Sequence, residues 1–496
     1  MNTVSIVEFT QLFIGGKFFD SNPKRSFSTI NPFDGKVIAN IQQASLDDIN
    51  LTVQVARKRF EDWSQTSPSV RGRFLNKLAN LFDENIERIA SLDSLENGIP
   101  ITEMIHCTRA AAEILRFYAG AVDKIKGETL PMDQQRWTMT VREPLGVCAI
   151  IIPWNSPTLM LAKTIGPALA TGNTVIVKPA EQTSLSALFI AHLTTLAGLP
   201  GGVFNVLTGD GPNVGAHLAS HMDIDMITFT GSLEVGRKIM AASAESNLKK
   251  VTLELGGKSP LVIFDDVDVE KAAQLSSNAI FVSNGQVCCC GSRTYVHEKI
   301  YDRFLKECVK LAENRIVGDP MDPKTQHGPQ VDESAVEKIM TMIRSGLNQG
   351  ALLMTGGKKG LKKSLSNGID DYFIQPTVFA NVDESMSIGQ EEIFGPVQSI
   401  IKFSSLDEII ERANKTKFGL AAGIITNDIN KALKFARSVR AGTCWINCYF
   451  VVRPSTPFGG YKLSGVGREF GEEALRQYTE TKTITINLDE SNYLFG

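Results

Sequence analysis

Two apolar rhythms divide this chain. In its first hundred residues, Val70, Phe74, Leu78, Leu81 and Phe82 recur at helical intervals, as one buried face of an amphipathic helix requires. Ser67-Pro68 supplies a cap and a first-turn proline, and Asn97-Gly98 a stop, so the spacing predicts helix between them. From about residue 146 short apolar runs take over, at 147–152, 174–177, 204–207, 226–229 and 251–253. Each is rich in β-formers, bounded by Gly, Pro or Asn, and followed by a helical stretch. That alternation predicts parallel strands buried on both faces, joined by crossover helices. A second alternation begins near Leu261 and carries Cys288, Cys289 and Cys290. The expected fold class is α/β.

Doubly wound sheets bind ligands beyond the C-terminal ends of their strands, and the polar residues of this chain cluster there. Gly231 to Gly236 follows a strand and opens a helix expected over 235–242. The free N–H groups of a helix start suit a pyrophosphate, although a plain strand-to-helix turn has the same look. Lys178 and Glu181 follow another strand. A carboxylate there accepts from ribose hydroxyls and repels a 2′-phosphate; a solvated surface pair is the bland alternative. Glu254 ends a third strand, where desolvation is expected to raise its pKa toward duty as a base; a capping or salt-bridging glutamate reads the same way. Asn155 is framed by Pro153 and Pro157, and its amide can donate to an oxyanion or close an Asx-turn. The thiols at 288–290 lie between Gly285 and Gly291. A cysteine in such a loop is a nucleophile if its pKa is lowered, and otherwise a small buried hydrophobe.

Composition narrows the class without naming it. The 496 residues are 43% hydrophobic and 21% charged, with a net charge of −3. These values fit a soluble globular protein of two or three domains and point to no nucleic-acid or membrane partner. Eight cysteines form no C-x-x-C pair, so no metal site is expected. The first eleven residues carry Glu8 and no apolar stretch of signal length, so the free thiols imply a reducing, cytoplasmic setting.

Taken together, seven segments resemble the aldehyde dehydrogenase superfamily over nearly the whole chain, from about residue 11 to 487. They are PWNSP at 153–157, KPAEQT at 178–183, FTGSLEVG at 229–236, LELGGKSP at 253–260, GQVCCCGSR at 285–293, EEIFGPV at 391–397 and PFGGYKLSG at 457–465. The resemblance implies a Rossmann-like NAD-binding domain over 1–125 and 145–256. It further implies an α/β catalytic domain over 257–463 and a small β oligomerisation extension from 126–144 and 477–496. It assigns the nucleophile to Cys288, the third residue after Gly285, with Cys289 and Cys290 as bystanders. Glu254 becomes the general base, and Asn155 and the Cys288 N–H the oxyanion donors. NAD, rather than NADP, is to be held by Pro153, Trp154, Lys178, Glu181, Gly231, Ser232, Gly236, Leu255, Glu392 and Phe394. The implied reaction oxidises an aldehyde to a carboxylic acid through a cysteine thiohemiacetal and thioester.

Departures from the family pattern bear on substrate. Lys163-Thr164 stands where many members carry a large residue and then a lysine on a proton path to a glutamate, here Glu469, so Thr164 breaks that path. Ser156, Val282 and Val452 replace tunnel phenylalanines, and Met160, Phe450 and Phe458 remain as apolar walls. A wide tunnel implies a bulky, aromatic or long-chain aldehyde. If instead Lys163 and Arg453 face the tunnel, an anionic semialdehyde is implied, and the loop from Asn447 to Pro457 has some likeness to hydroxymuconic semialdehyde dehydrogenases. The presence of Glu254 argues against a CoA-acylating relative, and the retained Cys288, Glu254 and Asn155 against a non-catalytic structural protein. The alternating runs 137–142 and 482–487 predict edge strands that want a partner, hence a homodimer or homotetramer.

Overall fold

The computed structural model describes residues 6–132, 136–360 and 370–488. Parts of the predicted segments at 1–125, 126–144, 257–463 and 477–496 therefore lie outside the described residues. Three of the four sheets shape the molecule. The largest orders its eight strands as Gly465–Val466, Lys250–Glu254, Met226–Thr230, Val147–Ile151, Thr174–Lys178, Phe204–Val206, Leu12–Ile14 and Lys17–Phe19. The five consecutive strands from Lys250–Glu254 to Phe204–Val206 are parallel, and antiparallel strands flank them. Four of those five are wholly buried, which is why their sequences read as largely apolar runs rather than alternating ones. Each buried Ile or Val side chain contributes about 1.5–3 kcal/mol.

The second sheet has seven strands, from Leu352–Thr355 at one edge to Thr443–Ile446 at the other, with Arg293–His297 in the middle. All its pairings are parallel except the one at the Leu352–Thr355 edge. The third sheet pairs Thr479–Asn487 with Arg136–Pro144 in an unbroken antiparallel register, with Thr129–Leu130 on its far side. Trp137, Ile484 and Ile486 stay exposed on it.

The early helical reading needs one correction. Helix runs from Pro68 to Glu84, stops at Asn85, and restarts as Ile86–Asn97 before Gly98 ends it in a left-handed conformation. Asn85 breaks the run because its side chain donates to the Leu81 carbonyl, the kind of local bond that competes with helix. Ser67 precedes the first helix but makes no side-chain cap; its hydroxyl lies against Ser69 instead. No helix among the described residues is long and apolar enough to cross a membrane.

Candidate active site

The cysteine turn is built by enforced backbone geometry. Helix Val269–Phe281 ends, and Ser283, Asn284 and Gly285 follow with φ of 49°, 59° and 74°. Non-glycine residues avoid this region unless the surroundings impose it, and here they do. Glu103 accepts from both the N–H and the hydroxyl of Ser283, at 2.7 Å each. Asn284 donates to the carbonyls of Gly98 and Pro329 and accepts from Gly328 N–H. At Gly285 a Cβ would come within 2.3 Å of the Gly395 backbone, so only glycine fits. Cys288 and Cys289 then lie in a turn, not a strand. The expectation that adjacent thiols point to opposite faces of a strand does not apply to them.

One cavity of about 360 Å³ gathers the predicted chemistry. Cys288, Asn155 and Glu254 line it together with Pro153, Trp154, Met160, Gly231, Ser232, Leu255, Glu392 and Phe394. Asn155 donates one amide hydrogen to the Gln286 carbonyl at 2.8 Å, which orients the amide and leaves its second N–H for another acceptor. Trp154 and Phe394 meet edge to face, 5.5 Å between centroids. Glu392 accepts from Gly257 N–H at 3.0 Å, and a Cβ on Gly256 would collide with its carboxylate.

The remaining predicted residues sit nearby in other roles. Ser232 caps helix Leu233–Glu245, accepting from Val235 N–H, and Gly236 lets that helix press on Leu255, 2.8 Å from where a Cβ would stand. Lys178 is buried, 3.5 Å from Glu181, whose side chain is 45% exposed; only the lysine is withdrawn from solvent. Burial lowers the Lys178 pKa, outweighing Glu181. Glu181 lines an adjoining recess of about 280 Å³ that shares Gln182, Val331 and Asp332 with the main cavity. Ser156 is buried and hydrogen-bonds the Cys107 thiol. Val282 is half-buried at the end of its helix. Phe450 and Phe458 pack in the apolar cluster that also holds Met160 and Cys288. Val452 lies on an exposed stretch, as does Arg453, just past Val451, whose carbonyl accepts from the Trp445 indole at 2.9 Å. Neither is a wall of the cavity.

Charge balance corrects three expectations. Lys163 is neither a surface residue nor a tunnel cation. It is 3% exposed and contacts both Glu254 and Glu469. Glu254 sits at a strand end, and the strand Gly465–Val466 pairs with it and leads the chain to Glu469. Glu469 is then held by reciprocal backbone bonds with Phe458. A lysine on helix Pro157–Thr171 thus joins the two carboxylates, while the Thr164 hydroxyl merely returns to its own helix. Burial pushes the Glu254 carboxyl up, but the Lys163 ammonium and hydrogen bonds from Glu469 and Lys163 outweigh it and leave it lowered. Burial and then the Glu254 charge raise Glu469 well above its usual value. The two carboxyls are thus driven apart, Glu254 downward and Glu469 upward, and Glu254 Oε1 is buried without a hydrogen-bond partner among the described residues. The Cys288 thiol is raised, not lowered, first by a hydrogen bond with Cys289 and then by burial. Cys289 is a contact of the nucleophile candidate rather than a bystander.

Two wall residues were not among the predicted site residues. Asp332 caps helix Glu333–Asn348, and Lys338 projects from it into the main cavity. A capping aspartate before an apolar helix was readable; its proximity to residue 288 was not.

Comparison with known proteins agrees over almost the full length. The aldehyde dehydrogenase family model matches residues 18–484. Retinal dehydrogenase 2 of Rattus norvegicus is 48% identical over 490 residues, covering 98% of this chain and 93% of that protein. The NAD+ complex of aldehyde dehydrogenase from Bacillus cereus superposes with a TM-score of 0.95 at 41% identity, covering 99% of each chain. A mutant indole-3-acetaldehyde dehydrogenase of P. syringae, in complex with NAD+ and IAA, gives 0.94 at 38% identity over 97% of each. The chain belongs to the aldehyde dehydrogenase family and is an oxidoreductase acting on aldehydes.

Proposed function

We propose that this protein oxidises a bulky, aromatic or long-chain aldehyde to its carboxylic acid with NAD, using Cys288 as nucleophile. The observation that carries this reading is the meeting of Cys288, Asn155 and Glu254 in one cavity with the Gly231-Ser232 turn. The cavity fits a dinucleotide. Leu233–Glu245 presents its N-terminus there, and the Gly256 backbone leaves room only for the Glu392 carboxylate. Glu181 would accept from the adenosine ribose and Glu392 from the nicotinamide ribose, with Lys178 beside Glu181. The first sheet thus serves the cofactor and the second carries the nucleophile. The exposed third sheet is the surface for a dimer or tetramer, and the eight free thiols fit a reducing, cytoplasmic compartment. The bulky substrate rests on small Ser156 and Val282 where phenylalanines are expected, and on relatives named for retinal and indole-3-acetaldehyde.

The geometry supports the following chemistry. Cys288 Sγ bonds to the aldehyde carbon as its proton passes to water, and the carbonyl oxygen becomes an oxyanion. The free N–H of Asn155 and the Cys288 N–H stabilise that charge. A nicotinamide bound beside Glu392 would supply the hydride acceptor, by which the thiohemiacetal on Cys288 would become a thioester. Glu254, its pKa lowered by Lys163, takes a proton from water. The resulting hydroxide adds to the thioester carbon, the C–S bond breaks, and the acid leaves.

Following reduced-cofactor formation with benzaldehyde, a long-chain aldehyde and acetaldehyde, each with NAD and NADP, tests the reading. The bulky substrates and NAD should give the higher kcat/KM, and Glu181→Ser should narrow the preference for NAD by roughly tenfold or more. A strong preference for acetaldehyde would remove the bulky-substrate reading, and equal use of both cofactors would remove the role of Glu181.

The buried triad predicts a pH effect. Lys163 lowers the Glu254 pKa, and the base acts only when deprotonated. Activity is lost as pH falls through that pKa. Lys163→Met removes the ammonium that most opposes burial, so the acid limb of the kcat profile should move upward by about one pH unit or more. An unmoved limb would show that Lys163 does not set the basicity of Glu254.

A further inference from the structure

One side-chain hydrogen bond joins the loop of Lys178 and Glu181 to the far wall of the main cavity. Gln182 stands in that loop, between strand Thr174–Lys178 and helix Leu185–Leu196. Its amide donates to Asp332 Oδ2 at 3.0 Å. Among the described residues no other hydrogen bond joins residues 178–183 to residues 328–338. Gln182, Val331 and Asp332 line both the main cavity and the recess of Glu181.

Both feet of this bond stand on fixed backbone. Behind Gln182, Glu96 accepts from the N–H groups of Ser184 and Leu185, at 3.1 and 3.0 Å, and so holds the helix that follows. On the other side, residues 328–331 are strapped to the cysteine turn. Asn284 donates to the Pro329 carbonyl and accepts from Gly328 N–H, Gln330 donates to the Asn284 carbonyl, and Val331 N–H donates to Gln286 Oε1. The Gln286 carbonyl in turn accepts from Asn155. Asp332 divides its two oxygens. Oδ1 caps helix Glu333–Asn348 by accepting from Ala335 N–H at 2.8 Å, and Oδ2 is left for Gln182. That helix brings Ser334, Ala335 and Lys338 to the cavity and packs Val336, Ile339 and Ile343 into the core of the second sheet. A dinucleotide reaching from Glu181 to Glu392 would touch both of the bodies that the bond connects.

We infer that Gln182 is a positioning residue: through Asp332 it holds the cofactor loop to the body that bears Cys288, and so slows the release of reduced cofactor. The inference rests on the proposed cofactor site and deepens it. It gives the side chain beside Glu181 a task other than touching the dinucleotide. Loss of such a contact shows chiefly in a dissociation rate.

The test follows dissociation of NADH in the absence of aldehyde, by stopped-flow energy transfer from protein tryptophan, with Trp154 in the cavity wall as a donor. Gln182→Leu removes the bond and spares the Asp332 cap, and NADH should leave about fivefold faster, as loss of one partly exposed hydrogen bond to a carboxylate allows. Gln182→Glu sets a second carboxylate against Asp332. Release should be faster still, and added salt should narrow its excess over Gln182→Leu. Gln182→Glu combined with Asp332→Asn exchanges donor and acceptor and keeps an oxygen for the helix cap. Release should then return to within about twofold of the unaltered protein, as coupled neighbours require. A rate that Gln182→Leu leaves unchanged overturns the inference, as does a double variant that releases NADH as fast as Gln182→Glu alone. An unaltered protein that binds no NADH strikes the cofactor reading beneath, whereas binding with a rate indifferent to residue 182 strikes the positioning role alone.

Discussion

Cys288→Ala should cut aldehyde-dependent reduced-cofactor formation by about 10⁴-fold or more, because deleting a nucleophile removes every step that depends on the covalent intermediate. Cofactor binding should survive. The Gly231-Ser232 turn, Lys178, Glu181 and Glu392 do not depend on the thiol, and the cysteine turn is held by Glu103 and Asn284 rather than by Cys288 itself. Titration of NAD by protein fluorescence alongside the rate assay separates the two effects. Substantial turnover in Cys288→Ala would refute the assignment. Loss of cofactor binding together with activity would show that the substitution had damaged the fold.

Glu254→Gln should act later in the reaction. A glutamine cannot take a proton from water, so thioester hydrolysis should slow by about 10²–10⁴-fold, the usual worth of a general base. Formation of the thioester should suffer far less. Stopped-flow traces should then show one rapid equivalent of reduced cofactor per active site, followed by a slow steady state. If the burst slows as much as the steady state, Glu254 serves proton removal from the buried, raised Cys288 thiol rather than hydrolysis.

The sequence made the strands and the strand-end chemistry legible because both are local. Buried parallel strands write themselves as apolar runs, and Asn155, Glu254 and Gly231 each stand just after one. The break at Asn85 was hidden, since apolar spacing continues across it while a single side-chain hydrogen bond ends the helix. Lys163 was misread for a different reason. Its two carboxylates arrive from distant strands through the pairing of Gly465–Val466 with Lys250–Glu254, and nothing near residue 163 announces them. The pKa expectations failed for the same cause. Desolvation alone predicts a raised Glu254, whereas the contact with Lys163 lowers it, and the lowered thiol that a nucleophilic Cys288 was said to need is instead raised by Cys289 and burial. Val452 lies on an exposed stretch outside the cavity, which its apolar side chain does not reveal. The walls from Asp332 and Lys338 needed the packing of the second sheet against the first.

The central claim is a thioester on Cys288 that Glu254 hydrolyses. Glu254→Gln mixed with benzaldehyde and NAD, quenched in acid during the slow phase and digested, should yield a benzoyl adduct on the peptide containing Cys288, seen by mass spectrometry and absent without NAD. A quenched enzyme with no adduct, or with the acyl group on another residue, would contradict it.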